Sequence, residues 1–152
     1  MRVIKNLDSY ILREVGTLAR CINSISDIKF KEQNLQKGQF IFLTRICENP
    51  GINQIDLSNL LKVDKTTTTK VIQKLIEAGY ISKKRDELDK RMWRIYPQAK
   101  GKETYLFVVQ EENRNVEICF DDFTDKEKEE VYQLVKKMSN NIENHWKEIK
   151  NI

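Results

Sequence analysis

Histidine, glycine, proline and cysteine are all scarce in this chain. Its 152 residues include one His, two Pro, three Cys and five Gly. A single imidazole, His145, supplies neither a zinc site nor a His-based catalytic triad. Cys21, Cys47 and Cys119 are odd in number and widely spaced, which fits neither a disulfide framework nor a C-x-x-C metal site. The shortage of Gly and Pro argues against an all-β fold built on many tight turns. Neither a P-loop nor G-x-G-x-x-G occurs, and no nucleophile–base constellation can be assembled. An enzyme is therefore not expected, nor is a cofactor or a metal. No stretch approaches the roughly 20 apolar residues of a membrane span. The start, MRVIKNLDSYILREV, carries Asp8, Arg13 and Glu14 where a secretory signal would be apolar, so the expected location is the cytoplasm.

Charge is plentiful and unevenly placed. Charged residues make up 33% of the chain and the formal net charge is +4. Residues 60–102 hold 12 Lys/Arg against 5 Asp/Glu, a net of +7, and the remainder holds 15 against 18, a net of −3. A basic centre between mildly acidic flanks points to a polyanion-binding surface.

Apolar spacing gives a mainly helical chain. Ile4, Leu7, Ile11, Val15, Leu18, Ile22 and Ile25 form one stripe of a long first helix. A second helix is predicted over Leu35–Glu48, stopped by Asn49-Pro50-Gly51. Asn53 can cap a short third helix with Ile55, Leu57, Leu60 and Leu61 on its apolar side. Lys62-Val63 is a turn, Asp64 caps a fourth helix running to about Ala78, and Gly79 fits the position just past its end. After Gly79 the period changes. Residues 80-YISKKR-85 and 92-MWRIYP-97 read as two strands, with Ile81, Trp93 and Ile95 able to face the core and 86-DELDKR-91 as a charged tip. Two helices follow, the first with a stripe of Leu106, Val109, Val116, Phe120 and Phe123 interrupted by Asn113. The last is capped by Thr124 or Asp125 and striped by Val131, Leu134, Val135, Met138, Ile142, Trp146 and Ile149. A helix-turn-helix followed by a hairpin with a basic tip is a winged helix.

The segment 54-QIDLSNLLKVDKTTTTKVIQKLIEAGYISKKRDELDKRMWRIYPQAKG-101 resembles the MarR family of winged helix-turn-helix transcription regulators. The family's L-x-x-x-G-[YL]-[IV] exit is matched by Leu75, Gly79, Tyr80 and Ile81, and its wing D-x-R by Asp89-Lys90-Arg91. Three positions depart from the pattern: Gln98 stands for Thr in T-x-x-G, Glu87 for a proline after the first wing Asp, and Lys62 for a glycine in the turn. The resemblance implies one domain over 1–152, with 35–101 as the DNA-binding lobe and 1–33 and 103–152 as helices that intertwine in a homodimer. It implies a repressor that occupies a pseudo-palindromic promoter site and is released by a small aromatic ligand. Tyr10, Phe40, Phe42, Arg45 and Trp93 are the candidates to line the ligand cleft, although aromatics more often simply pack. Some relatives sense oxidants through a cysteine near the start of the first helix. Cys21 sits well inside that helix and lacks the tyrosine partners.

The run 62-KVDKTTTTK-70 places four β-branched residues at the start of a helix, where each Thr costs roughly 0.5 kcal/mol relative to Ala. Helical spacing turns Thr68, Val71, Ile72 and Leu75 inward. Thr66, Thr69, Lys70 and Gln73 lie opposite, with Lys65, Thr67 and Lys74 at the edges. Short hydroxylated side chains let a helix sit close to duplex DNA and reach phosphates, base edges or thymine methyls. In the wing, Arg91 is the candidate for the minor groove and Lys90 for a phosphate contact or a second groove residue, with Asp89 orienting Arg91 or a recognition-helix lysine. Asn113 either sets register between subunits or lies on the surface. The rival function is a winged-helix protein-interaction module that binds no DNA, against which the central charge of +7 counts.

Overall fold

The computed structural model describes residues 6–150, which divide into two compact units meeting between Asn113 and Arg114. The first contains α1 (Ile11–Lys29), α2 (Gln39–Glu48), β1 (Ile52–Asn53), α3 (Gln54–Leu61), α4 (Lys65–Glu77), β2 (Ile81–Arg85), β3 (Trp93–Pro97) and the start of α5 (Ala99–Cys119). The second contains the end of α5 and α6 (Asp125–Lys150).

Caps and left-handed residues set the helix boundaries. α1 starts later than the apolar stripe does. Ile4 lies outside the described residues, and Leu7 precedes the helix because the Ser9 hydroxyl accepts the Ile11 N–H at 3.2 Å, a local bond that competes with helical pairing. α2 begins at Gln39 rather than Leu35, because Lys37 and Gly38 are both left-handed (φ 57° and 79°). Leu35 is fully buried all the same. α3 is capped by Asn53, which accepts the Asp56 N–H at 2.8 Å. Lys62 closes it at φ 58°, so the turn keeps its left-handed shape without the glycine, at about 1 kcal/mol of strain.

The sheet order is β1-β3-β2, antiparallel throughout, with Ile52 opposite Ile95 and Lys83 opposite Ile95 on the other side. β1 was not foreseen, since two residues carry no periodicity. It exists because β3 offers a free edge that takes Ile52 and Asn53. The core joins Phe30, Leu35, Phe40, Phe42, Leu43, Ile46, Leu57, Val71, Ile72, Leu75, Tyr80, Ile81, Ile95 and Val108. Trp93 is not among them. It is 44% exposed, out along the hairpin opposite Arg85, whose guanidinium stacks 4.8 Å from its ring centroid. At Gly101 a Cβ would lie 2.2 Å from the Tyr80 carbonyl oxygen, so this helix packs against the strand entry only with glycine there.

In the second unit, Phe120 and Phe123 meet edge to face at 5.2 Å. Thr124 Oγ1 accepts the Glu127 N–H at 3.1 Å while Glu127 accepts the Thr124 N–H at 3.0 Å, a reciprocal capping box. None of the 26 residues of α6 is buried.

Candidate nucleic-acid interface

α4 is fixed at its start by Asp64, whose carboxylate accepts the Thr67 N–H at 2.7 Å and sits at the positive end of the helix. Its inner face carries Thr68, Val71, Ile72 and Leu75, all buried. The hydroxyl of Thr68 is satisfied inside the core: it donates to the Asp64 carbonyl at 2.9 Å and accepts from Ser58 Oγ of α3 at 2.8 Å. This pair locks the crossing of α3 and α4.

The outer face is polar and wholly exposed. Lys65, Thr66, Thr67, Thr69, Lys70, Gln73 and Lys74 all reach solvent. Thr69 Oγ1 donates to the Lys65 carbonyl at 2.8 Å and accepts from the Gln54 side-chain amide at the start of α3. Gln73 donates to Glu77 at 3.1 Å, a surface bond that can open without loss of core packing.

The wing tip is built on Asp86. One of its oxygens accepts the backbone N–H groups of Leu88 (2.8 Å) and Asp89 (3.0 Å), and the other accepts Arg94 Nε at 2.6 Å. The Asp89 N–H, the Arg94 guanidinium and the Leu88 N–H together hold the Asp86 carboxyl down to about 2. Arg94 also donates to the Gly51 carbonyl at 2.9 Å, tying the hairpin to the turn before β1. Asp86 and Arg94 escaped sequence reasoning. They sit eight residues apart on opposite arms of the hairpin, and only the strand register brings them together.

Asp89 does orient Arg91: its carboxylate accepts the Arg91 N–H at 3.1 Å and Nε at 3.3 Å. The Arg91 side chain is 92% exposed, so the pair holds loosely and its cation is available to a phosphate or groove. Lys90 is exposed beside it, and Leu88 stands fully in solvent at the tip. A groove of about 260 Å³ between the start of α3 and the wing is lined by Asn53, Gln54, Ile55, Lys83, Asp89, Arg91, Met92 and Trp93.

Of the five residues proposed for a ligand cleft, Phe40, Phe42 and Arg45 share α2, Tyr10 precedes α1 and Trp93 opens β3. Phe40 and Phe42 belong to the core, with Phe40 4.9 Å from Phe30. Arg45 donates to its neighbour Thr44 at 2.9 Å, and Tyr10 is exposed ahead of α1. Trp93 lines the wing groove, where none of the other four lies.

The three cysteines are unpaired, Cys21 and Cys119 exposed and Cys47 half-buried. Burial, with Glu48 nearby, pushes the Cys47 thiol up to about 11, away from reactivity. None of the described helices is long and apolar enough to cross a membrane.

Comparison with known proteins agrees with this geometry. Residues 35–92 match the MarR family model. The HTH-type transcriptional regulator YybA of Bacillus subtilis is 41% identical over 140 residues, covering 92% of this chain and 93% of that protein. A MarR protein from Peptoclostridium difficile superposes with a TM-score of 0.91 at 62% identity, over 98% of this chain and 97% of that one. A putative MarR family transcriptional regulator from Listeria monocytogenes, solved with a 26mer DNA, gives 0.90 at 38% identity, over 97% and 96%. With the capped four-threonine helix, the clamped wing and near full-length likeness to these proteins, the chain belongs to the MarR family of winged helix-turn-helix transcription regulators.

Proposed function

We propose that the protein is a cytoplasmic homodimeric repressor that occupies a pseudo-palindromic duplex DNA site. The observation that carries this reading is the split of α4. Its apolar face is spent entirely inside the lobe, while Lys65, Thr66, Thr67, Thr69, Lys70, Gln73 and Lys74 form a continuous exposed face beside a basic wing. A helix start of that composition suits the major groove, and Lys90 and Arg91 suit the adjacent backbone and minor groove. The Listeria regulator of this fold is complexed with a 26mer DNA, which supports a DNA-binding use here.

Dimerisation rests on the terminal helices. α1 leaves Ile11, Val15, Leu18 and Ile25 exposed, and α6 leaves Val131, Leu134, Val135, Ile142 and Ile149 exposed. Such stripes on a water-soluble chain call for a covering surface, and a second copy supplies one. Two-fold pairing then sets two recognition helices about one DNA turn apart.

The test is fluorescence anisotropy on a duplex selected from random sequence, across a salt series. Neutralising on the order of 6–10 phosphates gives log K falling with log[salt] at about −0.9 per contact. Lys65→Ala should weaken all sequences alike. Arg91→Ala should weaken duplexes with A·T flanks most, where the minor groove is narrow. A salt slope near zero would leave the protein-interaction reading in its place.

A further inference from the structure

Thr69 is the outward threonine whose hydroxyl is already engaged. Its proton goes to the Lys65 carbonyl at 2.8 Å, the i−4 position of its own helix. With that proton committed, the group facing Oγ1 must donate, which is what the Gln54 amide does from the start of α3. A threonine carries two branches on Cβ. When the hydroxyl branch is turned back to the helix backbone and held by a neighbouring helix, the exposed branch is the methyl. Thr69 is exposed, on the face shared with Lys70 and Gln73.

We propose that Thr69 reads DNA as an apolar group, packing its methyl on the 5-methyl of one thymine in each half-site, with Gln54 as the positioning residue that holds it there. The proposal rests on the DNA-binding reading above and deepens it. A hydroxyl already used as a donor has no proton for a base-edge acceptor or a phosphate, whereas thymine is marked in the major groove by a methyl that only an apolar contact detects. Gln54 acts without touching the base. By occupying Oγ1 it removes the alternative rotamers in which the hydroxyl would face the groove.

The experiment uses the full chain and a duplex taken from random-sequence selection, with each thymine replaced in turn by 2′-deoxyuridine, which removes one 5-methyl and leaves the pairing unchanged. Burial of one methyl is expected to make one thymine per half-site worth about fourfold in affinity. Thr69→Val keeps the methyl and should keep the thymine/uracil ratio at that position. Thr69→Ser keeps the hydroxyl and should bring that ratio to one at the same position. Gln54→Ala should lower the ratio in the wild-type background and have no further effect in Thr69→Val, because the coupling runs through the hydroxyl. Circular dichroism melts verify that each variant is folded. If Thr69→Ser retains discrimination, or no thymine responds, the methyl reading is overturned while a steep salt slope still upholds DNA binding. If no duplex binds with a salt-dependent affinity, both readings fall together.

Discussion

Helix α4 buries its apolar stripe within its own unit, whereas α6 keeps one of similar regularity in solvent. Val71, Ile72 and Leu75 of α4 are 7%, 1% and 1% exposed; Leu134 and Ile142 of α6 are 61% and 60% exposed. Periodicity is the same kind of signal in both. It says that a helix has a face to cover and nothing about what covers it. In the lobe the covering surface is local, supplied by α2, α3 and the sheet. For α6 the proposed cover is a second chain. The two regions should therefore respond differently to mutation, to dilution and to acid.

The largest effect belongs to the lobe. Ile72→Ala removes a fully buried side chain and should cost about 2–5 kcal/mol in urea unfolding. The loss should be the same at two protein concentrations, since the contact lies within one chain. A loss under 1 kcal/mol would mean that α4 is not held as the geometry shows.

Leu134→Asp should instead act through association. It should yield monomers by light scattering and weaken duplex binding more than tenfold, about 1.4 kcal/mol or more. A soluble dimer with undiminished affinity would remove α6 from the proposed interface and break the comparison.

Asp64→Ala deletes the cap of α4 and should cost about 1 kcal/mol of thermal stability. Asp64→Asn should recover most of it, since the amide oxygen still accepts the Thr67 N–H.

The smallest effect is confined to the wing and separates it from both helices. The Asp86 carboxyl lies at about 2 in the folded chain, below the roughly 3.9 of an unfolded Asp. A depressed folded value contributes stability that is present above the unfolded value and lost as pH falls toward the folded one. In a Trp146→Phe background, Trp93 fluorescence should hold steady from neutral pH to about 4 and change only as pH nears 2. A midpoint near 4 would mean that Asp86 does not clamp the tip.

Much of the lobe was legible because its signals are local. Asn53, Asp64 and Gly79 are turn and cap residues whose roles depend on a few neighbours, and each stands where its chemistry placed it. The inward set of α4 followed from helical spacing, Thr68 included. The misses share a cause. β1 depends on the edge of a strand forty residues away, the exposure of Trp93 on where the core ends beneath the hairpin, and the Asp86–Arg94 clamp on hairpin register.

By itself, then, the sequence determined which segments are helical, where α3 and α4 are capped, and that positive charge gathers between residues 60 and 102, since caps, periodicity and composition act over a few residues. Only the tertiary structure decided what each exposed hydroxyl and carboxylate has already bonded. Thr69 looked like its neighbours until the crossing of α3 and α4 set Gln54 against it, and Asp86 like any charge in a tip until register set Arg94 across from it. A hydrogen bond holds over about 3 Å, and only folding brings such distant residues that close.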